Sequence, residues 1–197
     1  MPDPTLRRLI LGSTSPYRHE LLSRLRLPFD VVSPHVDETP MAGEAPRALA
    51  LRLALAKAQA VAAQHPQAMV IGSDQVADLD GEPLGKPGTH ARATEQLQRM
   101  RGKTVVFQTA VAVVCIETGF AQVDLAQVSV KFRPLDDAEI DRYLRAEAPY
   151  DCAGSAKSEG LGIALLESID SDDPTALVGL PLIRTCQMLR AAGVKVL

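Results

Sequence analysis

Apolar residues fall into short runs separated by glycine, proline and acidic breakers, and the runs alternate between strand-like and helix-like spacing. Arg8 to Gly12 predicts a short buried strand. Ser13-Thr14-Ser15-Pro16 follows as a helix start, with Ser15 suited to cap and Pro16 to the first helical position. Leu21, Leu22 and Leu25 continue at helical spacing until Pro28, and Phe29 to Ser33 predicts a second strand. Residues 34 to 45 are a polar loop. Pro46 opens a long helix, read with Leu49, Leu53, Ala56 and Ala60 on one face and ended by His65-Pro66.

Ala68 to Ile71 predicts a strand that stops at Gly72-Ser73-Asp74-Gln75, and Asp80-Gly81 predicts a tight turn. Gly85-Lys86-Pro87-Gly88 is another breaker, after which Thr89 should cap a helix carrying Leu97 and Met100. Two long β-rich runs, Thr104 to Ile116 and Ala121 to Phe132, flank Glu117-Thr118-Gly119 and predict a hairpin. A helix over Asp136 to Arg145, a glycine-rich loop over Gly154 to Gly162, a strand over Ile163 to Leu166 and a helix over Pro181 to Ala191 complete the pattern. Alternating elements with a hairpin in the middle indicate an α/β fold with a mixed, twisted sheet flanked by helices. No repeat, low-complexity segment or linker divides the chain, so residues 1–197 read as a single domain.

Composition narrows the function classes. With 46% hydrophobic residues but 4% aromatic and no Trp, the core must rest on Leu, Val, Ile and Ala. A net charge of −3 lacks the basic excess expected of a stable nucleic-acid binder. Cys115, Cys152 and Cys186 form no CxxC pair, and a sparse, odd count fits a reducing compartment. The apolar stretch after Met1 to Arg8 is too short for a signal-peptide core or a membrane span, so no membrane partner and a cytoplasmic location are expected.

Several local features carry candidate chemistry. Arg18 falls in the first turn of its helix, where a cation is unfavourable by on the order of 0.3–1 kcal/mol. An anion held between the helix amides and Arg18 would reverse that sign, which makes Ser13, Ser15 and Arg18 a phosphate cradle; the segment reads equally as a capped surface helix with a solvated Arg. Asp74, just past an apolar strand, stands where α/β sheets gather ligands, or is simply a turn residue. Lys57 reads as a solvated helix position or a local cation. Gly85-Lys86 lacks the spacing of a Walker A loop. No Ser-His-Asp order, HExxH motif or GxGxxG fingerprint is convincing, and the four histidines show no ligand-like spacing.

Taken in order, these segments resemble one family over nearly the whole chain. Leu9-Ile10-Leu11-Gly12-Ser13-Thr14-Ser15-Pro16-Tyr17-Arg18 is similar to the N-terminal signature of the Maf family. Val36-Asp37-Glu38-Thr39, Ala56-Lys57-Ala58, Ile71-Gly72-Ser73-Asp74-Gln75, Gly85-Lys86-Pro87, Gly154 to Gly160 and Val178-Gly179-Leu180-Pro181 resemble its later motifs. The resemblance implies an ITPase-like fold with two lobes around a central nucleotide cleft. It implies a nucleoside triphosphate pyrophosphatase that cleaves the α–β phosphoanhydride with a divalent cation, Mg²⁺ or Mn²⁺. Asp74 would be the catalytic carboxylate, Ser13, Arg18, Lys57 and Lys86 would bind phosphates, and Glu38 with Asp74 would hold metal.

Within the family, Tyr17, Gln75 and Glu159 stand at positions associated with base selection, and Gln75 with Lys157-Ser158-Glu159-Gly160 resembles the branch acting on 7-methyl-GTP. A methylated purine is cationic, which suits an aromatic Tyr17 beside Glu159. His19 replaces a second Arg usual in the family, which implies weaker or pH-sensitive phosphate binding. The alternatives are the dTTP/UTP branch and a non-catalytic nucleotide-binding regulator of septum formation. The family's frequent homodimers add a second copy of the chain as an expected partner.

Overall fold

A computed structural model describes residues 7–197; the reading of the chain's first six residues lies outside the described residues. The elements, in order, are β1 (Leu9–Leu11), α1 (Pro16–Ser23), β2 (Asp30–Val31), α2 (Pro46–Gln64), β3 (Met69–Leu79) and β4 (Glu82–Leu84). They continue with α3 (His90–Met100), β5 (Thr104–Cys115), β6 (Phe120–Phe132), α4 (Asp137–Glu147), β7 (Leu166–Ser171) and α5 (Leu182–Ala191). Side chains set three of the helix starts, those at Ser15 and Thr89 as the sequence suggests. Ser15 accepts from Arg18 N, Thr89 accepts from Arg92 N, and Asp136 and Glu139 form a reciprocal capping box. Asp80 and Gly81, at φ 56° and 88°, make the two-residue turn that pairs Leu79 with Glu82.

One seven-stranded mixed sheet runs β2-β1-β3-β5-β6-β7, with β4 also on β3. The β1 strand pairs parallel with β2 and β3, whereas the β3, β5, β6 and β7 ladders are antiparallel. Period-2 alternation sends successive residues to opposite faces. Ile10, Val70 and Ala112 pack under α2, while Leu9, Leu11, Met69, Ile71 and Val113 pack against α1 and α5. A third cluster gathers Ala77, Leu79, Phe107, Val128 and Val130 beneath α3 and α4. The core therefore divides along β3: two clusters on either face of its first half and one around its second half.

Four expectations change. The predicted strand ending at Ile71 runs on to Leu79. Gly72-Ser73-Asp74 form turns in isolation, but here they pair in unbroken register with Val111, Ala110 and their neighbours on β5. The second strand shrinks to Asp30–Val31. The predicted strand at Ile163–Leu166 is a 3-10 turn over Leu161–Leu165, because Leu161 and Ile163 point to solvent; the strand begins at Leu166. Finally, the buried face of α2 is Leu49, Leu53, Lys57 and Val61 with Ala50, Ala54, Ala58 and Ala62, while Ala56 and Ala60 are only half-buried.

That alanine stripe lets α2 lie very close to β3. A Cβ built on Gly72 would stand 2.3 Å from Ala54 O and 2.5 Å from Ala58 N, both backbone atoms. Gly72→Ala must therefore push the helix off the sheet. The expected loss is about 1–3 kcal/mol of unfolding free energy, since overpacking forces backbone to shift. Urea denaturation measures it, and an unchanged midpoint would show that the contact is not tight.

Candidate active site

The site occupies an interruption in the sheet. On one edge β3 pairs continuously with β5 from Val70 to Asp78. On its other edge β1 covers Met69 to Ile71 and β4 covers Ala77 to Leu79. Gly72 to Val76 thus have a strand neighbour on one side only, and a cleft of about 630 Å³ opens beside them. The nine residues to which the family resemblance assigns a site role line it: Ser13, Tyr17, Arg18, Glu38, Lys57, Asp74, Gln75, Lys86 and Glu159.

Alternation along β3 assigns their neighbours. Gly72, Asp74 and Val76 face α2, so Asp74 meets Lys57. Lys57 is 4% exposed, standing where the helix register would place a leucine. Its Nζ lies 2.7 Å from Asp74 Oδ1 and 2.8 Å from Glu38 Oε1, bridging a buried carboxylate and an exposed one. Burial pushes the Asp74 carboxyl above its ordinary value; Lys57 and Arg18 oppose the rise and Glu38 adds to it. Asp74 Oδ2 accepts no hydrogen bond among the described residues.

Ser73 and Gln75 face the other way, onto the segment Ala176–Gly179. Ser73 Oγ lies 2.9 Å from Gly179 O, and Gln75 Nε2 donates to Ala176 O and Leu177 O, each at 2.9 Å. Arg18 Nε donates to the same Gly179 O at 2.8 Å, and its Nη1 is 3.4 Å from Ser13 Oγ. Arg18 forms no salt bridge among the described residues, and burial holds its pKa below the ordinary arginine value against the pull of Asp74 and Glu38. A desolvated guanidinium without a close carboxylate favours an anion. Lys86 adds a third cation, exposed on a loop that is pinned by Gly88 N to Tyr150 O and by Gln96 Nε2 to Gly85 O. Because the Gln75 amide nitrogen is already engaged, any reading of a base by Gln75 falls to its Oε1.

The far end of the cleft is acidic. Tyr17 lies there with Glu159, and so do Asp151 and Cys152, which no sequence pattern marked. Burial, with Cys152 and Asp151 nearby, pushes the Tyr17 phenol up to about 12, and burial likewise pushes the Cys152 thiol up to about 12. Both stay protonated at neutral pH, which leaves Cys152 a poor nucleophile. Lys157, paired with Glu147 at 2.9 Å, stands 5.9 Å from the Tyr17 ring centroid. His19 does not line the cleft: it is exposed and packs its ring on Phe29 at 5.2 Å. The weakening of phosphate binding expected from His19 therefore has no direct route.

The metal implied by the family resemblance has a suitable donor set. Asp74 and Glu38 offer hard oxygens that both reach Lys57 Nζ, and among the described residues no three His, Cys, Asp or Glu side chains form a cage. That suits a cation held by one or two carboxylates and completed by phosphate and water oxygens. Among the described residues no helix is long and apolar enough to cross a membrane.

A buried acid paired with a lysine, in a cleft that also gathers Arg18 and Lys86 beside an interrupted mixed sheet, defines an α/β protein whose site suits an anionic ligand. A family model described as "Maf-like protein" matches residues 8–192, and the chain belongs to the Maf family. The 7-methyl-GTP pyrophosphatase of Albidiferax ferrireducens is 74% identical over 197 residues, covering 100% of this chain and 99% of that protein. Proteins of the same name from Polaromonas sp. and Cupriavidus metallidurans are 75% and 62% identical, covering 97% and 98% of this chain and 87% and 97% of theirs. Among solved structures the chain is similar to a Ham1 protein of Staphylococcus aureus, at TM-score 0.47 and 16% identity over 65% of this chain and 73% of that one.

The raised pKa of Asp74 has a consequence for stability. A carboxyl whose folded pKa lies above its unfolded value contributes stability at low pH that is lost as the pH rises through the folded value. Ionised Asp74 therefore subtracts from stability at neutral pH. Asp74→Asn should melt no lower than the wild type at neutral pH, with the difference shrinking as the pH falls toward the ordinary carboxylate range. Thermal unfolding at both pH values checks this; a clearly lower melting temperature would mean that the ion pair with Lys57 outweighs burial.

Proposed function

We propose that this protein is a nucleotide pyrophosphatase that hydrolyses the α–β phosphoanhydride of 7-methyl-GTP, giving the nucleoside monophosphate and pyrophosphate. The observation that carries the reading is the bridging of Asp74 and Glu38 by a buried Lys57, beside an Arg18 that has no acidic partner among the described residues. The names and high identity of the relatives support the substrate.

In this reading Asp74 orients a water and takes its proton as the oxygen attacks the α-phosphorus; its raised pKa makes it a better base than an ordinary carboxylate. An ammonium has three donors, and Lys57 gives one to Asp74 while standing in ion-pair contact with Glu38. A further donor is available to a phosphate oxygen. Arg18, fixed by Gly179 O, and Lys86 offset charge on the departing pyrophosphate. Ser13 completes the phosphate end. A Mg²⁺ or Mn²⁺ ion, held by Asp74 and Glu38, would supply charge neutralisation at the phosphoryl oxygens. At the other end the neutral Tyr17 ring offers a face to a cationic purine, and Glu159 offers a counter-charge.

The test is pyrophosphate release from 7-methyl-GTP, dTTP, UTP, CTP and ITP with Mn²⁺ or Mg²⁺ present or chelated. The expected result is metal-dependent release, highest with 7-methyl-GTP. Loss of the catalytic base in Asp74→Asn should lower kcat by roughly 10²–10⁴-fold. A preference for dTTP and UTP would overturn the base assignment alone. Tight nucleotide binding without release by the wild type would overturn catalysis and favour a regulatory role.

A further inference from the structure

Glu38 sits on a stretch of chain that has little to hold it. Residues 32–45, between β2 and α2, form no helix or strand, and Asp37 to Gly43 are all exposed. Met41, their one large apolar side chain, is 61% exposed. Burial therefore contributes almost nothing to ordering this loop, and each residue held in one conformation loses entropy. Yet Glu38 must be placed to ångström precision if it is to share Lys57 with Asp74.

Order comes from one polar ring. Arg52, on α2 a little over one turn before Lys57, presents its guanidinium fork to Glu44: Nε to Oε1 at 2.6 Å and Nη2 to Oε2 at 2.7 Å. The same Nη2 donates to Thr39 O at 3.1 Å, and Glu44 Oε2 accepts from Met41 N at 3.0 Å. Glu44 N returns to Met41 O, and Thr39 N is held by Asp37 Oδ1 at 2.9 Å. The fork thus reaches Thr39, the residue next to Glu38, and anchors it to the helix that carries Lys57. Bidentate arginine–carboxylate pairs fix geometry as well as adding attraction. The guanidinium also pushes the Glu44 carboxyl down to about 2, so the fork stays charged across the neutral range.

We propose that Arg52 and Glu44 are positioning residues: their ion pair locks the 37–43 loop onto α2 so that Glu38 meets Lys57 and Asp74. The inference rests on the role given to Glu38 above. Arg52→Lys keeps the charge and removes the fork; Glu44→Gln keeps the shape and removes the charge.

Two readouts test it. The first is amide hydrogen exchange on the full-length protein, which needs no turnover. In either variant the Thr39 and Met41 amides should exchange faster than in the wild type, while those of Leu53 to Val61 on α2 keep their protection. The second is a double-mutant cycle on pyrophosphate release from 7-methyl-GTP with Mn²⁺. Arg52→Lys alone should lower kcat/KM by roughly 10–100-fold, as loss of a supporting residue typically does. In a Glu38→Gln background it should lower it little further. Unchanged exchange at Thr39 and Met41, or losses that multiply in the double variant, would overturn the proposal. A wild type that releases no pyrophosphate from any nucleotide would sink the reading of the function instead; the exchange arm would still decide whether the fork orders the loop.

Discussion

A carboxylate placed on an interior strand has to be compensated, and in this chain the compensation is Lys57. Asp74 is 6% exposed and Lys57 4%, so neither charge has much water to lean on, and their 2.7 Å contact does the work that hydration would do at the surface. Burial still wins by a margin, because the Asp74 carboxyl remains above its ordinary value. A fully satisfied pair would be inert. This one lines the cleft and leaves Asp74 Oδ2 without a hydrogen bond among the described residues.

The two faces of β3 divide the labour around that pair. One face receives α2, brought in close by Gly72 and the alanine stripe, which is what lets Lys57 reach a strand residue at all. The other face receives Ala176–Gly179, whose carbonyls collect donors from Ser73, Gln75, Thr109 and Arg18. The Gly179 carbonyl is shared by Ser73, next to Asp74 on the strand, and by Arg18 on α1. Arg18 is thereby referenced to the same strand as the carboxylate.

Much of the architecture was legible because local chemistry decides it. Ser15 and Thr89 each start a helix by a hydrogen bond within one turn. What failed were features decided by distant partners. Gly72-Ser73-Asp74 reads as a turn until β5 pairs with it. An Ala-rich helix offers too little contrast to show its buried face, so Lys57 read as solvated, although Leu49, Leu53, Lys57 and Val61 share one i, i+4 row. That row was the available signal: a lysine in a leucine's place. The nine site residues come from six separated segments, and it was the ordered resemblance to a family, not periodicity or spacing, that gathered them. Asp151, Cys152 and the Arg52–Glu44 fork carried no such mark.

The interruption in the sheet has one more effect. Unpaired backbone on a strand is a template on which foreign strands can add. Here that template is only Gly72 to Val76, closed at both ends by β1 and β4, with a carboxyl side chain paired to Lys57 at its centre. An invading segment would have to bury Asp74 and Lys57 against its own backbone and displace both flanking strands. The charge that lines the pocket also guards the molecule against aggregation where the sheet is left open between β1 and β4.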